Sequence, residues 1–369
     1  MNCHQLILTE KFHQINLFSK NRQEQKLLTL DNKNPLQLKK ILGLVFTLLL
    51  TGLFLVIAFY GVDFSKMFFF ISNASIFWMI VLVFSLLSSH YIRALRWKII
   101  LSSVKPDSST LNLFGALMVG YGVNCAVPRL GEVSRAVVLG KWEKISTTST
   151  IGTVILERVI DMLSFAFAVV ISVFIWSGDL YQHFPWLRSS LYIVIALMLL
   201  LFLFLILLVR LKEKFYNAII KFVGKISEKL AHKLASTFEM LILGFASLKG
   251  VKNYMLTLFL TLLMFVFYWL NSYIGFFIVG MDQLTNVNLG MAWIIMSISS
   301  IGVMIPTPGG TGSYHTLVKS VLVLLFGFDE AISLAYAVLT HIISYVLFVT
   351  AALFFFFYLN KKFSVKPVN

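Results

Sequence analysis

Three ionisable side chains lie inside a stretch that otherwise has the composition of a membrane span. Glu157, Arg158 and Asp161 fall within residues 151–176, where the other side chains are apolar or carry small hydroxyl groups. A charge at the centre of a bilayer costs roughly 2.5–3.5 kcal/mol even on the most lenient scale, so such residues persist where they face a cavity or one another. The sequence therefore predicts that this chain handles a polar group within the membrane.

Helical spacing would bring these three side chains together. Glu157 and Asp161 would lie one above the other on a helix, and Arg158 could reach Asp161 three residues further on. Such a cluster could contact a substrate or carry a proton. It could equally be a structural cluster that locks the span against the segment before it. The partners in that second interpretation would be Arg129, Glu132 or Arg135.

The overall composition indicates an integral membrane protein. Of the 369 residues, 59% are hydrophobic and 13% are charged, and the mean hydropathy is +0.87. Soluble domains carry about 25% charged residues. The two cysteines form no CxxC pair and the chain has no Walker motif. We therefore expect no metal, no cofactor and no ATP hydrolysis by this chain.

Six apolar runs are long enough to cross a membrane, since a spanning helix needs about 20 such residues. These runs cover residues 41–60, 76–95, 151–176, 191–209, 254–279 and 331–359. Two more apolar regions, 111–144 and 289–326, are interrupted by proline and glycine. Irregular backbone at membrane depth is tolerated only beside protein or a watery cavity. We therefore expect an all-α polytopic membrane protein with six spans and two broken, re-entrant helical hairpins.

Basic residues set the expected orientation, because cytoplasmic loops are rich in Lys and Arg. We assign to the cytoplasm a polar leader (1–40), a basic segment (210–252), a short tail (360–369) and the end of the second span with Arg93 and Arg96. Both termini of a multi-pass protein of the cell (inner) membrane would then be cytoplasmic. The two hairpins would enter from opposite sides and point at each other. Opposed broken helices are what inverted-repeat transporters use to build a midplane site.

The segment 210–252 has a basic amphipathic pattern. Lys221, Lys225, Lys229 and Lys233 repeat every four residues, with apolar residues on the opposing side. A helix of this kind at the cytoplasmic surface would be drawn to an anionic lipid surface, although it could equally serve only to set the topology. The net charge of +15 belongs to this face and to the leader, so nucleic acid is a poor candidate partner.

The first interrupted region holds candidate substrate-binding residues. A guanidinium group binds phosphate through two parallel hydrogen bonds, so Arg129 and Arg135 suit an anionic headgroup. The helix that follows Gly131 could add free amides. Glu132 near its start is also explained by helix-end electrostatics. Pro128 and Gly131 would shape the turn itself.

The second interrupted region carries no charge at its turn. Its backbone amides could form an anion-binding concavity. The histidines near the turn could bind a headgroup, or they could simply pack and form hydrogen bonds. The candidate substrate-binding residues there are Pro308, Gly309, Gly310, Gly312, Tyr314 and His341. No residue in either region is predicted to be catalytic.

Several strings in these regions resemble a known family. PRLGEVSRA from Pro128, followed by ERVIDM from Glu157, resembles a signature of the lysylphosphatidylglycerol synthase transmembrane region family. IPTPGGTGSYHT from Ile305, followed by GFDEAISLAYAVLTH from Gly327, is similar to a second signature. RALRWKIIL from Arg93 fits a supporting segment. The resemblance covers roughly residues 42–359, and His341 stands where that family is expected to carry an arginine.

The resemblance implies a lipid flippase or flippase-like transporter and not an enzyme. It implies a flippase-like domain at residues 41–359 whose partner is a membrane phospholipid or a polyprenyl-phosphate lipid. Some members are fused to an aminoacyl-transferase, but only residues 360–369 follow the last span here, so we do not expect lysyl transfer. Two alternatives stay open: a membrane enzyme acting on a polyprenyl-phosphate-linked sugar, and a non-transporting partner of a separate lipid-modifying synthase. A homo-oligomer is compatible with each of them.

Overall fold

The computed structural model describes residues 34–176 and 250–364, together with scattered positions between these two ranges. The chain divides into two compact units, Met1–Gly52 and Leu53–Asn369. The first unit contains the start of the first described helix. The second unit contains the end of that helix and all the other helices described.

The described residues form ten α-helices and no strand. They are α1 (Asn34–Phe59), α2 (Phe64–Ser72), α3 (Ile76–Leu101), α4 (Thr110–Ala126), α5 (Leu130–Glu143), α6 (Thr147–Ile175), α7 (Val251–Ile278), α8 (Leu289–Met304), α9 (Ser313–Leu324) and α10 (Glu330–Ser364). Short 3₁₀ turns lie at Met281–Gln283 and Pro308–Gly310.

Five of these helices are long and apolar enough to cross a membrane, namely α1, α3, α6, α7 and α10. The predicted all-α polytopic class is therefore confirmed. The five helices correspond to five of the six predicted spans. The predicted span 191–209 and the segment 210–252 lie, apart from scattered positions, outside the described residues, as does the leader up to residue 33.

The helix α3 continues past the predicted end of its span at Leu95 and reaches Leu101. It begins after Ser75, whose hydroxyl accepts a hydrogen bond from the amide of Trp78 at 3.5 Å. Its 26 residues extend about 39 Å at 1.5 Å per residue, which exceeds the hydrocarbon core of about 30 Å. The extra length keeps Arg93 and Arg96 within the helix.

The first interrupted region is a helix, a break and a second helix, as predicted. α4 and α5 meet where Gly120 faces Gly131, and a methyl group on Gly131 would overlap the carbonyl oxygen of Gly120 and the side chain of Asn124. Arg129, just before α5, has a φ of 63°, a left-handed conformation that is uncommon outside glycine. Gly131, the second residue of α5, has a geometric role beside the turn, but it is not a residue of positive φ. The close approach of the two helices is what requires glycine there.

The second interrupted region is also a helix, a break and a second helix. Gly309, Gly310 and Gly312 between α8 and α9 have φ values of 58°, 79° and 85°, which a residue with a Cβ adopts only with strain. The hydroxyl of Ser313 donates to the carbonyl of Gly302 at 2.7 Å and so ties α9 to the end of α8. Here, unlike at the first break, the glycines are required by the turn.

Two apolar clusters pack these helices together. The first joins α2, α7, α8 and α9 to the starts of α3 and α10, and it includes Leu82, Phe276, Ile295, Val318 and Ile332. The second joins α4, α5 and α6 to the ends of α3 and α10, and it includes Trp97, Leu117, Leu139, Val154 and Leu359. Because α3 and α10 take part in both clusters, they hold the two hairpins in one bundle.

Candidate functional site

The candidate site is centred on buried ion pairs between α3 and α6. Arg93 Nε donates to Glu157 Oε1 at 2.5 Å, and Arg93 Nη2 donates to Asp161 Oδ2. Arg96 Nη2 donates to Asp161 Oδ1 at 2.5 Å and lies 3.4 Å from Glu157 Oε1. All four residues are at most 5% exposed. Two arginines on one face of α3 therefore share two carboxylates on one face of α6.

A third arginine reaches the same carboxylate from the first hairpin. Arg135 Nη1, on α5, donates to Glu157 Oε2 at 2.8 Å. Its guanidinium group lies 4.7 Å from the ring centroid of Trp97, a cation–π contact. Trp97 Nε1 in turn donates to Thr153 Oγ1 at 3.0 Å. We refer to Arg93, Arg96, Arg135, Glu157 and Asp161 as the charge cluster.

Neutral side chains from two further helices complete the surroundings of the charge cluster. Arg93 Nη1 donates to the hydroxyl of Tyr121 on α4 at 2.7 Å. Arg96 Nη1 donates to Thr261 Oγ1 on α7 at 3.1 Å. The charge cluster and these two neighbours therefore join side chains of α3, α4, α5, α6 and α7.

Arg93 and Arg96 lie inside the bundle and not in a loop, because both side chains are buried in the charge cluster. Their assignment to the cytoplasmic side stays a prediction. A signal for their burial was present in the string RALRW. Arginines three residues apart lie on the same face of a helix. In the structure that face of α3 contacts the face of α6 that carries Glu157 and Asp161. Arg93 and Arg96 therefore pair with buried acids and are not charges that flank a span.

Arg158 does not contact the carboxylate that its spacing suggested. Its Nη2 lies 3.3 Å from Glu132 Oε1 on α5, while Asp161 is occupied by the arginines of α3. Neighbouring helical residues point about 100° apart, so a helix that turns Glu157 inward turns Arg158 elsewhere. The predicted cluster of three is therefore wrong. The alternative, in which α6 is locked against the first hairpin, is supported by the contacts of Arg135 with Glu157 and of Glu132 with Arg158.

A small cleft, with a volume of about 10 Å³ and so room for about one water molecule, opens beside the pair of Arg158 and Glu132. It lies between the two helices of the first hairpin and α6, and the residues that line it include Gly120, Tyr121, Asn124, Glu132, Arg135 and Arg158. The side chains of Arg158 and Glu132 are 36% and 27% exposed, so they stand at the mouth of the cleft. Arg135, at 2% exposed, forms its inner wall.

Arg129 lies away from this cleft, whereas Gly131 lines it. Arg129 is exposed, and its Nη2 donates to the carbonyl of Met304 on α8 at 3.4 Å. The amide of Gly131 donates to Asn124 Oδ1 at 2.7 Å. The prediction of a free amide at the start of this helix is thus wrong for Gly131. Arg129 links the two hairpins instead of joining the charge cluster.

The amides of the second turn are also occupied. Those of Thr307, Gly310 and Thr311 donate to carbonyl oxygens within the turn, and that of Gly312 donates to His315 Nδ1 at 3.2 Å. The predicted anion-binding concavity is therefore wrong at these four positions. His315 acts here as an acceptor that holds the turn.

The other predicted residues of the second region fasten its turn to α10. His341 Nε2 lies 3.0 Å from the carbonyl oxygen of Gly309, and the hydroxyls of Tyr314 and Thr340 lie 3.0 Å apart. The rings of His315 and His341 pack with centroids 4.6 Å apart. These contacts favour packing and hydrogen bonding over headgroup binding for the histidines.

The turns of the two hairpins touch each other. The hydroxyl of Tyr345 on α10 donates to the carbonyl of Cys125 at the end of α4, at 3.1 Å. A Cβ atom on Gly309 would lie 3.4 Å from the Cα atom of Cys125. The expected space between the hairpins is therefore closed at their tips. Gly309 lies at this contact and His341 lies beside its carbonyl, whereas Glu132, Arg135 and Arg158 line the cleft. The other candidates of the second region, Pro308, Gly310, Gly312 and Tyr314, belong to its turn and to the start of α9.

Comparisons with known proteins bear on the same part of the chain. Residues 40–352 match the family model described as the lysylphosphatidylglycerol synthase TM region. The chain is 26% identical over 273 residues to a UPF0104 membrane protein of Methanothermobacter thermautotrophicus, which covers 68% of this chain and 76% of that protein. It is 26% identical over 265 residues to a UPF0104 membrane protein of Methanocaldococcus jannaschii, with the same two coverages. The range matched by the family model contains both hairpins and the whole charge cluster.

Proposed function

Because the chain belongs to the lysylphosphatidylglycerol synthase TM region family, we propose that it is a lipid flippase or flippase-like transporter. Its substrate would be a membrane lipid with an anionic, phosphate-containing headgroup. The protein would lie in the cell membrane with both termini in the cytoplasm. The observation that carries the proposal is the buried charge cluster with a cleft at its edge, inside a multi-pass helical bundle.

The charge cluster supplies polar partners that a headgroup would not find in the hydrocarbon core of the membrane. A charge or an unpaired polar group is costly to bury unless partners with fixed geometry surround it. The charge cluster offers guanidinium groups already held in place by two carboxylates and two hydroxyls. The cleft has room for about one water molecule, so a headgroup would reach these guanidinium groups only after the cleft widens. The fixed guanidinium groups would then lower the barrier to its passage.

The contact between the hairpin tips supports a route that opens and closes. Arg129 donates across it to the carbonyl of Met304, and Tyr345 on α10 donates to the carbonyl of Cys125 beside it. Each of these hydrogen bonds is worth about 0.5–1.5 kcal/mol net, so parting the tips costs little compared with breaking the charge cluster. In this proposal the tips separate as the headgroup passes, and the charge cluster stays intact.

The carboxylates favour transport over acid–base chemistry. A general acid or base must reach the proton of a bound substrate. Glu157 and Asp161 are instead engaged by arginines and are at most 3% exposed. Glu132 is the more accessible acid, and it is paired with Arg158. This arrangement suits a fixed polar surface better than a reactive pair.

The test is lipid movement in proteoliposomes. The full chain is reconstituted with a fluorescent phospholipid, and a membrane-impermeant reductant reports the fraction of label in the outer leaflet. We expect reduction to proceed beyond the outer-leaflet fraction only in vesicles that contain the protein. An unrelated polytopic protein at the same density is the control. If several phosphate-containing headgroups all stay in their leaflet, the flippase proposal fails.

A further inference from the structure

Glu132 and Arg135 line the same cleft but are paired with other residues. Both lie on α5, three residues apart. Residues with this spacing are neighbours on the surface of a helix, with Cβ atoms about 5–6 Å apart. Glu132 pairs with Arg158 on α6, and Arg135 pairs with Glu157. The carboxylate of Glu132 therefore lies within reach of two arginines and engages one of them.

Both side chains have buried polar atoms left over. Arg135 uses Nη1 for Glu157, whereas its Nε and Nη2 have no hydrogen-bond partner among the described residues. The second carboxylate oxygen of Glu132, Oε2, is also buried and without a partner there. Unpaired buried donors and acceptors cost free energy. A hydrogen bond between Arg135 and Glu132 would satisfy donors and acceptor together.

The balance of charge favours the same contact. Within the charge cluster three arginines face two carboxylates, so one positive charge is in excess. Arg135 has the least compensation, because it pairs with one carboxylate while the other two arginines each contact both. Adding Glu132 would give three acids for three arginines. The excess charge would then fall on Arg158, whose side chain is 36% exposed and where an unpaired charge costs less.

The cleft has the size that this contact requires. Its volume of about 10 Å³ has room for about one water molecule. A carboxylate oxygen is of similar size, so Glu132 can turn into the cleft where a larger group cannot. Because Glu132 and Arg135 lie on one helix, a change of side-chain rotamer is enough to join them. The helices α5 and α6 do not have to separate first.

We propose that Glu132 is a switch residue that alternates between Arg158 and Arg135. In the arrangement that the structure shows, Glu132 pairs with Arg158 at the mouth of the cleft. In the other arrangement, Glu132 turns inward to Nε and Nη2 of Arg135, which keeps Glu157 through Nη1. Arg158 is then released at the mouth, and the charge cluster stays intact.

The two arrangements are closely balanced. Either of them leaves one arginine short of a carboxylate, namely Arg135 in the first and Arg158 in the second. An anionic group that binds Arg158 would therefore shift Glu132 inward, because it interacts with the second arrangement alone. The proposal rests on the proposed function, since the release of Arg158 is the first step in opening the cleft to a headgroup.

The test is a pair of high-resolution structures of the full chain, one of Arg158→Gln and one of Arg158→Lys. Lysine keeps a cation at the mouth, so Glu132 should stay beside residue 158. Glutamine removes the cation, and we expect the carboxylate of Glu132 to lie within about 3 Å of Nε or Nη2 of Arg135. A Glu132 side chain that points away from Arg135 in Arg158→Gln would overturn the switch. An inward Glu132 in both variants would also overturn it, since the cation at position 158 would then have no hold on it.

A double-mutant cycle tests the same contact in solution. Glu132→Gln and Arg135→Gln are made singly and together, in the wild type and in Arg158→Gln, and the unfolding equilibrium constant is measured for each. We expect the coupling factor between positions 132 and 135 to be about threefold or more larger in the Arg158→Gln background. Lys141→Gln is the control background, because it removes an exposed cation from the same helix and should leave the coupling unchanged. A coupling that does not rise in Arg158→Gln would contradict the switch.

The flipping assay on the wild type separates this proposal from the proposed function. An inward Glu132 in Arg158→Gln, together with no lipid movement by the wild type, would leave the switch standing and remove the transport function. Lipid movement by the wild type, together with a Glu132 that never contacts Arg135, would leave the transport function standing and remove the switch.

Discussion

Replacing Glu157 by glutamine should destabilise the protein more than replacing any acid at its surface. The side chain of Glu157 is fully buried, and its oxygens lie 2.5, 3.4 and 2.8 Å from nitrogens of Arg93, Arg96 and Arg135. Glutamine has the same shape but leaves three guanidinium groups facing the single carboxylate of Asp161. Removing one partner of a buried ion pair costs about 3–5 kcal/mol, and we expect a loss in that range.

Glu132→Gln is the control for this loss. Its partner Arg158 lies 3.3 Å away, and both side chains are partly exposed. A pair in such a setting is worth about 0–1 kcal/mol. The assay is reversible unfolding in mixed micelles, with the free energy of unfolding compared between the two variants. Equal losses for Glu157→Gln and Glu132→Gln would refute the view that the buried charge cluster holds the helices together.

A second substitution tests whether charge is the cause. Adding Arg135→Gln to Glu157→Gln removes the guanidinium group whose ion pair with Glu157 has been lost. The double variant should then lose less than the sum of the two single losses, with a coupling of about 0.5–3 kcal/mol. Strict additivity would indicate that Glu157 acts through packing and not through its charge.

Three further predictions use the same unfolding measurement. Gly131→Ala should cost about 1–3 kcal/mol because its methyl group overlaps the facing helix, whereas Gly43→Ala, with no atom within 4 Å of the added carbon, should be neutral or slightly stabilising. Tyr345→Phe should cost about 0.5–1.5 kcal/mol, since it removes the hydrogen bond between α10 and the end of α4. Lys319→Met should cost about 1–3 kcal/mol, because it removes an ammonium group. That group donates to the carbonyl of Tyr60 and pairs with Glu330, the first residue of α10. Losses at the three altered sites no larger than that of Gly43→Ala would contradict the contacts on which they rest.

The helices and their two breaks were predictable because each rests on local chemistry. Long apolar runs require helices in a membrane, and proline and glycine mark where the helices stop. The turn at Gly309, Gly310 and Gly312 follows directly from its glycines, which adopt left-handed conformations. The first turn was harder to predict, because its left-handed residue is Arg129. Its glycine, Gly131, allows the close packing of α4 and α5.

The charge cluster was predicted only in part because it depends on which faces meet. Spacing along α6 correctly singled out Glu157 and Asp161 as residues that need partners, but it could not show that the arginines of α3 turn towards them. The apolar run 76–95 stops before Arg96, so Arg93 and Arg96 were predicted to be charges at the end of the span. The occupied amides were also not predicted, since the backbone geometry that turns Asn124 and His315 towards the amides of Gly131 and Gly312 does not follow from residue type alone.

The rate of phospholipid movement by Arg135→Lys, measured beside the wild type in the same proteoliposomes, tests the central claim most directly. A folded Arg135→Lys keeps a cation that faces Glu157 and loses the planar guanidinium group. We predict that wild-type protein moves phosphatidylglycerol between leaflets, and that the variant does so about tenfold or more slowly. Equal rates for the two folded proteins would contradict the claim that the lipid phosphate crosses by way of Arg135.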